Sequence, residues 1–342
     1  MNLRENFINC LEGRYVEKTP VVPVTTITLM EYRERFNSNF PEAHIDSDKM
    51  VKLAVAPYVV SEIEGINLPF DMTIEAEAFG CEIDLRENEH TPEVVKTPFN
   101  RPSDIHVPCD FLQTSRVGVL EESIIRIKEN YPDVPLIIGV VGPFTLLGQL
   151  LGIENLLKYV KKDYFEVEDA ISIVTEALEE FIALLNSYKV DAICICEPSS
   201  SSDLLNPEIF KKLVKPELEI LADSIKSKTI LHVCGNTNPI IPDMLTCNYD
   251  AISIEDVVDI NYITKTRKEL NSNTKICGNI STNKALLQGT TETVKDEVTT
   301  ALEKGVEIIC SSCSVPPMTP EANVNAMIKA RDKYYNQKTN NY

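Results

Sequence analysis

His232 and Cys234 lie two residues apart at the end of an apolar run, in the stretch Leu231-His232-Val233-Cys234-Gly235-Asn236, and Cys313 follows far downstream. Alternate residues of a strand point to one face, so the pair presents an imidazole and a thiolate side by side. With Cys313 as third ligand the set is of zinc-binding type and leaves one tetrahedral position open, as catalytic rather than structural zinc does. A thiol is mostly protonated near neutral pH, and coordination to zinc releases that proton while leaving a nucleophilic sulfur. Two cysteine thiolates on the metal also weaken its Lewis acidity, so the set favours alkyl transfer to a bound sulfur over water activation and hydrolysis.

Other readings of the same residues stand beside this one. Cys310 and Cys313 form a CxxC, which is a redox pair or the closure of a structural site if both sulfurs face His232. Because Cys310 ends the apolar run 306–309, it is read instead as strand core. Cys194, Cys196, Cys247 and Cys277 lack ligand spacing and are read as packing residues, and His44, His90 and His106 lie in polar segments and are read as solvated. Glu197, in Cys196-Glu197-Pro198, is the candidate catalytic residue, for coordination in the resting state or proton acceptance as a thiol binds. It is an exposed loop acid, a group that orients a ligand, or a weak fourth ligand that substrate displaces. Glu255 is a further candidate for shaping a thiol pocket, although an N-cap role for Asp256 explains acid there equally well.

The elements that must position these residues alternate short β-rich runs with helical patterns. The runs are 21–26, 65–68, 134–141, 190–196, 229–233, 249–254, 275–280 and 306–311. Eight such runs separated by helices predict an α/β fold, a (β/α)8 TIM barrel, whose active sites sit at the C-terminal strand ends. His232 and Cys234 end the fifth run, Cys313 follows the eighth and Glu197 follows the fourth, so one rim receives all of them. Apolar residues at Val167, Ile171, Val174, Leu178, Phe181 and Leu185 keep helical spacing and predict one long amphipathic helix. Asn206-Pro207, Asn238-Pro239 and Thr319-Pro320 each pair a cap residue with proline, Gly305 stops the helix 291–304, and Pro216 kinks or divides its helix. Residues 72–132 break the alternation and are read as an insertion between strands 2 and 3, with a small hairpin near the barrel mouth. No linker or repeat divides the chain, so residues 1–342 are expected to form a single domain.

Composition limits the partners. With 342 residues of which 43% are hydrophobic, the chain can bury a large core. Its net charge of -19 argues against nucleic acid and anionic membranes, which want a basic face. Ten cysteines at irregular spacing do not make a disulfide scaffold, no run is long enough for a membrane span, and Met1 to Asn6 lack a signal-peptide core. A cytoplasmic location is the expectation.

Several stretches together resemble the uroporphyrinogen decarboxylase superfamily, and within it the zinc-dependent methylcobamide:coenzyme M methyltransferase branch. They are Pro69-Phe70-Asp71 with Glu75-Ala76-Glu77-Ala78 and Gly80-Cys81, then Gly142-Pro143-Phe144-Thr145, and the segment from His232 to Asn236. Ser253-Ile254-Glu255, Gly278-Asn279-Ile280, and Cys313 to Pro320 followed by Asn323, Ala326 and Met327 extend the resemblance over nearly the whole length. It implies a (β/α)8 barrel and a zinc ion held by His232, Cys234 and Cys313. It also implies methyl transfer from a methylated corrinoid protein to a small thiol such as coenzyme M. The methylcobalamin would ride on that partner, because this chain has no Asp-x-His-x-x-Gly motif. The decarboxylase branch carries an arginine-bearing stretch after its first strand, whereas residues 21–28 here contain no arginine, which weighs against decarboxylation of a polycarboxylate. A pterin acceptor such as tetrahydrofolate remains a further alternative, though it does not require zinc-thiolate chemistry.

Overall fold

The computed structural model describes residues 1–87 and 91–339; His90 lies outside the described residues. Nine strands are assigned: β1 Ile66–Leu68, β2 Glu82–Asp84, β3 Glu93–Lys96, β4 Leu136–Val141, β5 Ala192–Cys196, β6 Lys228–His232, β7 Ala251–Ser253, β8 Lys275–Ile280 and β9 Ile308–Ser311. Seven of them form one parallel sheet in the order β1-β4-β5-β6-β7-β8-β9, while β2 and β3 form a separate antiparallel pair. Sequential parallel strands joined by helices give the sheet two covered faces, which is why runs such as Leu136-Ile137-Ile138 are apolar throughout rather than alternating.

Seven of the eight sequence runs are strands in this sheet. The first, 21–26, is not. Pro20 and Pro23 have no N–H to offer a ladder, and the segment meets β9 in an isolated parallel bridge at Val21–Ile309, with a second isolated bridge, Ile27–Val315, between the residues that follow each of them. It is nevertheless held on both sides. Val22 N donates to Ile309 O at 3.1 Å, Ile309 N donates to Pro20 O at 2.9 Å, and Glu64 N donates to Val21 O at 2.8 Å just before β1.

The strand pleat sorts side chains into two cores. One set, including Ile137, Ala192, Cys194, Ile230, Ala251, Cys277, Ile308 and Cys310, packs with Val22 and Val24 inside the curl of the sheet. Phe7, Cys10 and Leu11 of the helix Leu3–Leu11 join this inner set. That helix starts at a reciprocal cap in which Asn2 accepts Glu5 N at 2.8 Å and the Glu5 side chain accepts Asn2 N at 3.4 Å. The outer faces pack under helices, among them Tyr164–Ser187, whose predicted stripe from Val167 to Leu185 is buried in full.

Local signals are met with small shifts. Asn206 caps the next helix through Glu208 N, and Pro216 falls where that helix divides into Pro207–Ile209, a π-helical turn Phe210–Val214, and Lys215–Ser224. Helix Thr291–Glu303 ends ahead of Gly305 at φ +86°, and the last helix, Glu321–Thr339, begins directly after Pro320. At Asn238 the cap is Thr237, one residue earlier than the sequence suggests. Between β1 and β4 the chain makes the helix Ile74–Ala78, the β2/β3 pair and the helix Ser115–Asn130. Among the described residues no helix is long and apolar enough to cross a membrane.

Candidate metal centre

Going two residues up the pleat from the inner core converts packing into chemistry. Above Cys194, Ile230 and Ala251 come Cys196, His232 and Ser253, at the C-terminal ends of β5, β6 and β7, and these three are neighbours in the parallel register. His232 is buried, with Nδ1 3.0 Å from Ser253 Oγ, which turns Nε2 toward Cys234 Sγ at 3.1 Å. Val233 between them is buried in the outer core, so the chain turns only the two ligating side chains to the same side. Cys313 arrives from the turn after β9, which Ser312 N pins to Ile280 O at 2.8 Å. Its sulfur is 3.4 Å from Cys234 Sγ, and the three ligand atoms all lie within 4.8 Å of one another.

The protonation pattern is that of a ligand set short of positive charge. The hydrogen bond between the two sulfurs, with His232 beside it, holds the Cys313 thiol well below its ordinary value, while the same hydrogen bond and burial push Cys234 far above its own. Burial disfavours the His232 imidazolium, but the hydrogen bond and charge of Cys313 outweigh it and raise that group. A cation at this point would compete with protons for the two sulfurs. A soft thiolate pair with an imidazole whose second nitrogen is fixed by a hydroxyl fits zinc in ligand type and in orientation. The group opens into a cavity of about 170 Å³, whose wall includes Val24, Thr26, Asn67, Phe70, Met72, Gly139, Val141, Cys196 and Ser314. Thr91 and Pro92, from the stretch between β1 and β4, complete its lining.

The other expected site residues fall differently. Glu197 is fully buried and faces away from the sulfurs: Oε2 accepts Phe144 N at 2.8 Å, and Oε1 accepts Thr145 N at 2.8 Å and the Thr145 hydroxyl. Both oxygens therefore sit at the N-terminus of the helix Pro143–Leu151, where the helix dipole favours negative charge. Burial nonetheless raises the carboxyl to about 7. The fit demands Gly142, since a Cβ there would stand 2.5 Å from Glu197 Oε2. Its link to the ligand set runs through the backbone, Glu197 N donating to His232 O at 2.8 Å. Glu255 is the acid near the sulfurs. It is half-buried, accepts a backbone hydrogen bond from Gly235, and is raised by burial and by the charge of Cys313.

Three cysteine and histidine assignments can be judged directly. Cys310 is buried in the inner core, as its apolar run suggests, and is not in the three-ligand group. Cys196, expected to be a packing residue, packs against the inner core and also lines the cavity beside His232, because the register places it at the top of β5. His44, expected to be solvated, is wholly buried with Nδ1 2.9 Å from Asp71 Oδ2. The polar segment around it misleads because its partner is supplied from β1's loop.

That partner belongs to a network that the sequence did not disclose. Asp71 pairs with Arg116, accepts the Thr73 hydroxyl at 2.5 Å, and Arg116 also reaches Thr73 Oγ1 at 3.0 Å and Glu77 Oε2 at 3.2 Å. Burial alone would raise Asp71, but the hydrogen bond from His44 and the charge of Arg116 prevail and hold its carboxyl well below the carboxylate range. The residues come from three separate segments, so no spacing announces them. Asp71, Met72 and Thr73 border the cavity, and the network fixes that wall.

A parallel α/β sheet with an imidazole and two sulfurs at its C-terminal strand ends has relatives of known kind. The uroporphyrinogen decarboxylase (URO-D) family matches residues 2–334, and the chain belongs to that family. The methylcobamide:CoM methyltransferase MtaA of Methanosarcina barkeri is 34% identical over 335 residues, 97% of this chain and 98% of the relative. The methylcobamide:CoM methyltransferase MtbA of Methanosarcina mazei is 30% identical over 343 residues, 97% and 98% of the two chains. A solved methyltransferase from Methanosarcina mazei superposes with a TM-score of 0.93 at 34% identity, covering 98% of this chain and 99% of that one. These full-length likenesses place the chain among the family's methyltransferases. A B12-independent methionine synthase from Shewanella sp. W3-18-1, at 16% identity and TM-score 0.61, shares the fold.

Proposed function

We propose that this enzyme moves a methyl group from a methylated corrinoid protein to a small thiol, coenzyme M or a similar acceptor, held as a zinc thiolate. The observation that carries the reading is the convergence of His232 Nε2, Cys234 Sγ and Cys313 Sγ within 4.8 Å at the floor of an open cavity. These three residues would hold the metal, and Ser253 would keep the imidazole turned toward it. When bound, zinc supplies the charge that lets the acceptor thiol shed its proton while its sulfur remains nucleophilic. The sulfur lone pair then forms the new S–CH3 bond as the Co–CH3 bond breaks, with the electron pair of that bond staying on cobalt and the thiol proton passing to Glu255 and from there to solvent. Cavity walls from Phe70 and Met72 on one side to Ser314 on the other orient the acceptor and limit water. Glu255, whose charge acts on both Cys234 and Cys313, is the better proton acceptor for the incoming thiol; Glu197 positions the helix Pro143–Leu151 against β5 and β6.

Within this reading residues 20–27 act as the eighth stave of a (β/α)8 barrel, the whole chain works as one domain in the cytoplasm, and methylcobalamin arrives on the partner. The experiment is replacement of the ligands: Cys234→Ala and Cys313→Ala each lose bound zinc and thiol methylation from methylcobalamin together. A variant that keeps full zinc content and full rate contradicts the assignment.

A further inference from the structure

A glycine inside a regular strand weakens it, because glycine loses the most conformational freedom on folding and has no side chain to pack. Gly139, within β4, has none of the ordinary structural reasons for being one. The register with β5 pairs Ile138 with Ile193, Gly139 with Cys194 and Val140 with Ile195 without a break, so the strand has no bulge there. The φ of Gly139 is not in the left-handed region. A Cβ at this position would meet only Leu68 O, at 3.7 Å, which is ordinary van der Waals contact. Gly142 and Gly278 differ, since a Cβ there would stand 2.5 Å from Glu197 Oε2 and 3.0 Å from Ile254 O. The protein's own packing therefore leaves the space beside Gly139 unfilled, and that space belongs to the cavity.

Position says what such a space can hold. Val141, Cys196 and His232 lie at one level of the parallel register, and Gly139 lies two residues back along β4. At about 3.3 Å per residue, the cavity runs roughly 6–7 Å inward along the strand from the level of His232. Around this deep end the inner core is apolar, except that Thr25 and Asn67 present a hydroxyl and an amide to the cavity. Neither group is tightly held. Asn67 Nδ2 donates to Val24 O at 3.3 Å and to Ile137 O at 3.5 Å, and Thr25 Oγ1 lies 3.5 Å from Ser311 Oγ, all long for hydrogen bonds. The described residues of the lining include no lysine or arginine, so the chamber offers hydrogen-bond donors rather than a counter-ion.

We propose that Gly139 determines which acceptor the enzyme takes: a thiol on a short unbranched chain, its sulfur at the ligand set and its far end in the chamber beside Gly139. There Thr25 and Asn67 donate to the oxygens of a terminal group such as a sulfonate. The inference rests on the methyl-transfer reading and adds to it the shape of the acceptor. A straight chain occupies the room that a side chain at position 139 would take, whereas an amino-acid thiol such as homocysteine brings a branch that the narrow chamber does not admit. Ligand approach is also the remaining reason for a glycine in an unbulged, uncrowded strand.

The test uses the full-length zinc-loaded protein with coenzyme M, homocysteine and methanethiol as probes. Methanethiol has no far end and is the internal reference. Thiol binding is read by calorimetry, and transfer by loss of the methyl-cobalt absorbance of methylcobalamin. One methyl group's worth of space in a closed pocket changes discrimination by about 10- to 200-fold. Gly139→Ala is therefore expected to raise the ratio of the coenzyme M Kd to the methanethiol Kd by about tenfold or more, and Gly139→Val to raise it further. Asn67→Leu, which keeps the side-chain size and removes the donor, is expected to move the ratio in the same direction. The unfolding midpoint of metal-free Gly139→Ala is expected to hold or rise, because alanine suits a strand better than glycine. If valine impairs folding, the alanine variant carries the test alone. A lowered midpoint with an unshifted ratio makes Gly139 a structural glycine and overturns the proposal. So does a parent that binds homocysteine as tightly as coenzyme M. A ratio that shifts as expected while no methyl group leaves methylcobalamin removes the reaction and leaves the chamber standing. A parent that transfers methyl, with the ratio unshifted in every variant, removes the chamber alone.

Discussion

Ser253 holds the orientation of the His232 imidazole, and it does so through one hydrogen bond of 3.0 Å to Nδ1. Partners of this kind fix ring tautomer and direction, and their loss typically costs about 10- to 100-fold in metal affinity. Ser253→Ala is therefore expected to weaken zinc binding by that order in a chelator competition, with the thermal midpoint of the metal-free protein little changed. The convergence of His232, Cys234 and Cys313 was legible in the sequence because the proposed ligation demands particular residue types, and strand alternation brings His232 and Cys234 to one side. Glu197 was legible only as a rim acid. Its direction depends on the helix Pro143–Leu151, which offers two backbone N–H groups within 2.8 Å. Nothing in Cys196-Glu197-Pro198 itself carries that information. Only the packing part of Cys196's place was legible, for a related reason: strand-end position within the register, not residue type, decides whether a packed thiol also faces a cavity.

At the scale of elements, buried acids tie the helices of the β1–β4 stretch to the sheet. Glu75, on the helix Ile74–Ala78, accepts Val141 N of β4 at 3.0 Å through Oε1, and burial raises its carboxyl to about 7. A carboxyl raised above its unfolded value near 4 favours the folded state in full below that pH, and the contribution is lost as pH rises through about 7. Glu75→Gln keeps the acceptor for Val141 and cannot ionise. The difference in unfolding midpoint between parent and variant should therefore move in the variant's favour between pH 5 and pH 8, and a constant difference contradicts the linkage. Arg116 provides the opposite case. Removing it leaves Asp71 as a buried charge short of its main partner, a loss of about 3–5 kcal/mol for pairs of this type. Arg116→Met is expected to lower the urea midpoint accordingly and to loosen the Phe70–Thr73 wall, which would register as a raised acceptor KM in any variant that still folds. The helix stripe from Val167 to Leu185 and the division at Pro216 were readable from periodicity and from proline chemistry. The 21–26 run was readable as apolar and extended, but the prolines that disqualify it from a regular ladder also hide which hydrogen bonds it keeps.

For the whole molecule, seven parallel strands put the inert small cysteines in an inner core and, at and just beyond their C-terminal ends, put an imidazole and two sulfurs at an open mouth. That arrangement separates stability from chemistry. Cys194, Cys277 and Cys310 serve packing, whereas Cys234 and Cys313 stand half-exposed to a ligand. Expected partners follow from the same layout: a small thiol entering the cavity and a corrinoid carrier covering it, in a molecule whose acidity disfavours polyanions. The most direct test of the central claim is zinc-edge absorption spectroscopy on the loaded protein, with and without coenzyme M. Without the thiol, the account predicts two sulfurs and one nitrogen from the protein, with an oxygen donor in the remaining position. Adding the thiol should replace that oxygen with a third sulfur. An unchanged spectrum, or three sulfurs already present before the thiol is added, would contradict an open site that activates its substrate's sulfur.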